Sequence, residues 1–300
     1  MLVKKNDVTP ERSVITVLYG TPGCGKTSLA TTAENPILID TDRGYDRAVQ
    51  RIDTLVATNW QDIASELETL RGYKTIIIDT AKAMLDDYLS AYAISKNYKL
   101  ATNTLKRYGE MGDDFKLFVN TVRSYGADLI FICHDKETSE GDVIKHSPDC
   151  TGQSKDLLLR IADQVGYITK INGKRTISFE PMDNFIGKNV AGLPTMEIPD
   201  STDARFGNAM AEIIAQVKKS IQSKSEEQRK AMEQLASVRE MLSAAMTAED
   251  ANNLIKACAE LPVVLRKPFF AEMKTKLEPR KIVYDKESKT FVEKSDETNS

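Results

Sequence analysis

The sequence predicts an α/β fold with a mainly parallel sheet and a later β-hairpin, followed by a small α-helical module. Three observations carry this expectation. Over residues 14–133, short continuous apolar runs alternate with helical patterns, as strands covered by helices on both faces do. Asn172-Gly173 lies between two β-rich runs, the signature of a tight hairpin turn. From about residue 203, Gly and Pro become rare and Ala, Lys, Glu, Gln and Met dominate.

The elements follow in chain order. Residues 14–19 are β-rich and run into a glycine-rich turn, a helix is expected over 27–33, and Asn35-Pro36 stops it. Residues 37–39 form a second buried strand. Ile63, Leu67 and Leu70 are spaced as on one helical face over 61–70. Residues 75–78 give a third strand, 115–125 a helix and 128–133 a fourth strand. Residues 135–156 are polar and long enough to read as a functional or disordered loop. The hairpin is expected over 164–171 and 175–179. In the helical region, Ser225-Glu226-Glu227-Gln228 and Thr247-Ala248-Glu249-Asp250 have the spacing of capping boxes. Met232, Leu235, Val238, Leu242 and Ala245 form an apolar stripe of helical period. Packing or oligomer contact is the plain reading of this module. The expected domains are 1–200, 201–288 and a frayed tail over 289–300.

Composition limits the function classes. Three hundred residues give room for two domains with proper cores. The 41 basic residues against 44 acidic ones leave a net charge of -3, so any nucleic-acid contact must come from a local patch. The four cysteines are far apart with no CxxC pair, which suits a reducing cytoplasm rather than a disulfide framework. Residues 1–8 do not read as a signal peptide, and the longest apolar run, 127–133, is too short to span a bilayer. A cytoplasmic protein without a membrane segment is expected.

The chemistry is concentrated in Gly20-Thr21-Pro22-Gly23-Cys24-Gly25-Lys26-Thr27-Ser28, which satisfies G-x-x-x-x-G-K-[ST] between a strand and a helix. Glycines let the loop curl so that backbone N–H groups face phosphates, and the following helix adds its positive end. In this motif the lysine, Lys26, reaches the β- and γ-phosphates and the hydroxyl of Thr27 ligates Mg2+. Cys24 stands at a variable position and reads as incidental, with oxidation of a thiol near a helix N-terminus as the alternative. Asp79, ending a buried strand, is the expected partner of Thr27 at Mg2+. A water-positioning carboxylate is expected from the second strand end. Asp42 is the candidate, with a turn cap as its plain alternative, and Asp40 is structural or assists Mg2+. His134, at the end of the fourth strand, is placed to bond the γ-phosphate or simply the backbone. A zinc set of Cys133, His134, His146 and Cys150 is a minor alternative, because adjacent Cys133 and His134 point to opposite sides of a strand.

These residues, with Ile39-Asp40-Thr41-Asp42, Ile76-Ile77-Ile78-Asp79 and Ile130-Phe131-Ile132-Cys133-His134, resemble the RecA-like P-loop ATPase core. The likeness covers roughly residues 12–200, continuing through 146–149, 163–167, 173–177 and 187–194, and extends to phage AAA-type nucleotide-binding proteins, including the Sak-type ATPases of phage recombination. The resemblance implies an ATP-binding, Mg2+-dependent ATPase acting on single-stranded DNA in recombination, annealing or repair. It also implies a ring or filament of identical subunits, phage recombination or replication proteins as partners, and a bacterial host cytoplasm. The sequence departs from the pattern in three places. Asp42 stands where Glu is usual, His134 where the polar sensor is often Gln, and Lys188-Asn189-Val190 where Lys-Asp-Arg is expected. Lys188 remains the candidate to act on a neighbour's ATP. Thr80 follows Asp79, so the Asp-Glu pair of AAA+ enzymes is absent. The helical region only weakly resembles accessory segments of phage recombination proteins.

In a RecA-like core, DNA meets loops after the third and fourth strands. Lys96, Tyr98, Lys99, Lys106 and Arg107 lie in such a segment, which has no acidic residue over 95–109. Cations for phosphates beside aromatics for bases make a single-strand site, and a solvated helix face is the plain alternative. Two rival functions stand beside the ATPase: a nucleotide switch with little turnover and a small-molecule phosphotransferase.

Overall fold

A computed structural model describes residues 12–141 and 143–294. The described residues divide into two units, 12–221 and 222–294.

In the first unit the elements run β1 (Ile15–Gly20), α1 (Lys26–Ala30), β2 (Pro36–Asp40), β3 (Asp53–Val56), α2 (Trp60–Ser65), α3 (Leu67–Leu70) and β4 (Thr75–Asp79). A wide helical turn, Ala83–Leu89, leads into α4 (Ser90–Lys96) and then α5 (Thr104–Ser124). β5 (Asp128–Glu140), β6 (Val143–Pro148), α6 (Gly152–Ile161), β7 (Gln164–Ile171), β8 (Lys174–Ser178), β9 (Lys188–Asn189) and β10 (Met196–Glu197) follow. The sheet order is β10-β8-β7-β1-β5-β4-β2-β3, with β6 on β5 and β9 on β7. Strands β3, β2, β4, β5, β1 and β7 pair in parallel, and β8 turns back antiparallel on β7.

Both faces of the sheet are buried, and alternation along each strand decides the layer. Ile15, Val17 and Tyr19 of β1 face one core with Phe115 and Phe118 of α5. Val14 and Leu18 face the other with Leu29 of α1. Register aligns the C-terminal ends of the central strands, pairing Gly20 with His134, Asp79 with Ile132 and Asp40 with Asp79. The carboxylates and the glycine loop therefore share one edge, where ligands bind in open parallel sheets.

The structure differs from the expectation in several places. The stretch 135–156 is largely ordered: β5 continues into a hairpin with β6, and α6 follows. Side-chain pairing across that hairpin holds it, although its composition reads as loop. β3 is a short, half-exposed edge strand that the sequence does not signal. Asn172 and Gly173 do form the β7–β8 turn, with φ of 52° and 80° as a two-residue hairpin loop requires.

The boundary between units also moves, from about 200 to 221/222. The helix α7 (Ala209–Ala244) is continuous through Ser225, so the helix start expected there is absent. Its first turns place Met210, Ile213, Ile214 and Val217 in the core beside Leu29 and Phe206, at i, i+3, i+4, i+7 spacing. Thr32 Oγ1 also accepts from the Met210 amide at 2.9 Å.

The second unit contains the end of α7, α8 (Ala248–Glu260), α9 (Val263–Leu277) and a hairpin of β11 (Ile282–Asp285) with β12 (Thr290–Glu293). Leu235, Val238, Leu242 and Ala245 are buried as their spacing predicts, whereas Met232 is exposed. Thr247 and Asp250 complete the expected capping box of α8. The tail does not fray at 289. Phe291 is buried, and Asn252 donates to its carbonyl at 2.9 Å and accepts from its amide at 2.8 Å. Residues 295–300 lie outside the described residues.

Candidate functional site: a phosphate loop facing strand-end carboxylates

The loop of residues 20–25 leaves β1 fully buried and enters α1 through Gly25. Gly23 and Gly25 have φ of 77° and 91°, which side chains rarely adopt. Lys26 is buried, and its Nζ donates to the carbonyls of Gly20 at 2.8 Å and Thr21 at 3.0 Å. Its ammonium is thus held inside the curve of the loop. Cys24 is buried beside it, and burial pushes the thiol's pKa up against the opposing pull of Lys26.

Thr27 Oγ1 donates to Asp79 Oδ2 at 2.5 Å. Burial raises the Asp79 carboxyl above the ordinary range, the Thr27 hydrogen bond opposes this, and the charge of Asp42 adds to the rise. A hydroxyl and a buried carboxylate disfavoured in its charged form make a fitting pair for a divalent cation, since the cation relieves that burial cost.

Asp40 and Asp42 have different environments. Asp40 is 1% exposed and accepts from the amides of Asp42 and Gly44 at 3.1 Å and of Tyr45 at 3.0 Å. It ties down the loop on which Asp42 is carried. Thr41 links the same loop to β4, donating through its amide to Asp79 O at 2.8 Å and accepting from the Thr80 amide at 2.7 Å. Asp42 projects into solvent, with Oδ2 3.9 Å from His134 Nε2. Strand ends thus bring Lys26, Thr27, Asp79, Asp42 and His134 to one edge.

One residue here, Arg175, lies in a family-like stretch of the sequence that assigns it no role. A Cβ built on Gly25 would come within 2.6 Å of Arg175 Nη1, so the β8 guanidinium lies against the loop. Its Nη2 donates to Pro199 O at 2.9 Å. The segment Gly173-Lys174-Arg175-Thr176-Ile177 is visible in the sequence, but only the pairing of β7 beside β1 brings Arg175 to the loop.

The other sequence candidates make contacts of their own. Lys96 Nζ donates to Asp114 at 2.8 Å and lies over the Tyr92 ring. Arg107 donates to the carbonyl of Ala101 at 3.3 Å. Tyr98, Lys99 and Lys106 are exposed, Tyr98 at 77%. Lys188, expected to reach a neighbour, donates within its own chain to the carbonyls of Leu159 at 3.1 Å and Arg160 at 3.4 Å, capping the end of α6. The zinc set does not assemble. Cys133 and Cys150 lie 4.0 Å apart between sulfurs, but His134 turns to Asp42 and His146 to Asp135.

A strand, a glycine loop closing on a Lys-Thr helix start, and a buried strand-end carboxylate on the threonine hydroxyl together define a P-loop NTPase. Residues 12–190 match the AAA domain family, and the chain belongs to it. Membership implies ATP binding and hydrolysis, and domains of this kind typically bind ATP with Mg2+. Among curated proteins none matches the chain significantly. No helix among the described residues is long and apolar enough to cross a membrane.

Proposed function

We propose that the chain is a Mg2+-dependent ATPase whose turnover is coupled to single-stranded DNA in phage-type recombination, annealing or repair. The observation that carries the ATPase part is the 2.5 Å contact of Thr27 Oγ1 with Asp79 Oδ2 beside the loop that holds Lys26. The loop amides and the N-terminus of α1 hold the phosphates. Lys26 swings from the carbonyls of Gly20 and Thr21 to the transferring phosphoryl. Thr27 and Asp79 would hold Mg2+, which would supply neutralisation of phosphate charge. Asp42 orients the attacking water, and His134, 3.9 Å from it, bonds the γ-phosphate or holds Asp42 in place. Arg175 adds a fixed positive charge against the loop.

The DNA part rests on the RecA-like resemblance and on the exposed trio Tyr98, Lys99 and Lys106, whose aromatic and cationic groups suit bases and phosphates. Lys96 and Arg107 support that segment through their bonds within the chain. Self-assembly into a ring or filament belongs to the same reading, without Lys188 as its link.

Steady-state ATP hydrolysis with and without single-stranded DNA tests this. The expected result is Mg2+-dependent turnover raised by DNA, abolished in Lys26→Ala, and no longer DNA-stimulated in a Tyr98→Ala/Lys99→Ala/Lys106→Ala variant. Turnover indifferent to DNA removes the recombination role and points to another phosphoryl acceptor. Binding without turnover makes the chain a nucleotide switch.

A further inference from the structure

The β5–β6 hairpin carries a group of side chains that ATP hydrolysis does not use. His134 and Asp135 are consecutive on β5 and therefore leave it on opposite faces. Asp135 and Glu137, two apart, share a face, and His146 on β6 stands directly opposite Glu137 in the antiparallel register. One ligand atom from each of Asp135, Glu137 and His146 lies within 4.8 Å of the others.

The group is built rather than incidental. The Asp135 side chain is 2% exposed, and its Oδ2 meets His146 Nδ1 at 2.6 Å. Its other oxygen, Oδ1, is buried with no hydrogen-bond partner. A buried carboxylate oxygen left unpaired is costly, and such atoms call for a missing ligand. The His146 ring is fixed by stacking on Tyr167, with centroids 5.1 Å apart. Its backbone is held by Asn184 O at 2.8 Å and the Ile186 amide at 3.1 Å. Glu137 is exposed, so its flexible side chain can close onto an ion held by the other two.

We propose that Asp135, Glu137 and His146 bind a first-row divalent cation such as Zn2+. An imidazole with two carboxylates suits such an ion, whereas Mg2+ and Ca2+ favour all-oxygen shells. The ion replaces the hydrogen bond between Asp135 and His146, with any proton on the ligating nitrogen passing to solvent, and satisfies the buried, unpartnered oxygen of Asp135. Three protein ligands leave a position for water. The ion ties β6 to β5, with Asp135 leaving β5 on the face opposite His134.

Equilibrium dialysis against Zn2+, with far-UV circular dichroism confirming the fold, tests this on the full chain. The wild type and Asp79→Asn are expected to hold one Zn2+ per chain at this site. His146→Gln is expected to lose it, and Glu137→Gln to bind at least ten-fold more weakly. Because Glu137 is exposed, its replacement separates ligation from folding. Zn2+ should also raise the melting temperature of the wild type and not that of Glu137→Gln. A wild type that binds no Zn2+, a Glu137→Gln variant that binds it equally well, or binding lost only in Asp79→Asn would each overturn the proposal.

Discussion

Replacing Asp40 by Ala isolates the support on which Asp42 depends. The substitution removes three backbone-to-carboxylate hydrogen bonds, from Asp42, Gly44 and Tyr45. These bonds are only partly buried, so the upper range for ordinary hydrogen bonds applies rather than that for buried charged acceptors, roughly 1–1.5 kcal/mol each. Relief of repulsion with Asp79, whose titration Asp40 raises, offsets part of the loss. The net destabilisation is about 2–3 kcal/mol, a fall in melting temperature of roughly 5–10 °C for a domain of this size. Because the loop that bears Asp42 then drifts by an ångström or so, kcat is expected to fall on the order of 10- to 100-fold. KM for ATP should stay within about three-fold, since the phosphate loop keeps its own contacts. Asp40→Asn sharpens the test. One amide oxygen can accept from both Asp42 and Gly44 as Oδ1 does, but its NH2 then faces the Tyr45 amide, donor against donor. Its stability and kcat should fall between wild type and Asp40→Ala. Differential scanning fluorimetry and steady-state ATP hydrolysis read both effects. An Asp40→Ala protein with wild-type melting and kcat would refute the positioning role, and so would an Asn variant as damaged as Ala.

Other substitutions address the remaining parts. Asp42→Ala should lower kcat about 100-fold with ATP affinity little changed, and a drop in affinity instead would make Asp42 a binding residue. Asp79→Asn should stabilise the nucleotide-free protein while ending Mg2+-dependent turnover. With its folded pKa raised, the wild-type carboxyl favours folding most below about pH 4 and loses that contribution as pH rises through the raised value, so the variant's advantage should grow over that window. A melting difference that does not change with pH counts against this. Arg175→Ala should weaken ATP binding about ten-fold in a fluorescent-nucleotide titration without lowering the melting temperature by more than a few degrees. Leu242→Ala, at a fully buried position of the second unit, should cost about 2–4 kcal/mol, read as lost hydrogen-exchange protection in α8 and α9.

The sequence alone determined the features whose chemistry is local. The glycine loop with Lys26 and Thr27 needs only a strand before it and a helix after it, so nine consecutive residues suffice to identify it. The central buried strands are legible because apolar runs covered on both faces leave no ambiguity, and Asn172-Gly173 announces its turn by a conformation few residues adopt. Asp79 follows from its place at the end of such a strand. What only the tertiary structure decided depends on partners distant in the chain. The sequence favours Asp42 over Asp40 as the water-positioning carboxylate, but only the three amides that converge on Asp40 show it to be the support of the loop that carries Asp42. Lys188 and Lys96 read as free cations until the carbonyls of α6 and the carboxylate of Asp114 are in place. Arg175 meets Gly25 through the pairing of β7 beside β1, and Asp135, Glu137 and His146 meet through a hairpin register that polar residues do not signal. Motifs record what the backbone needs near each residue, whereas sheet order and register decide which distant side chains meet.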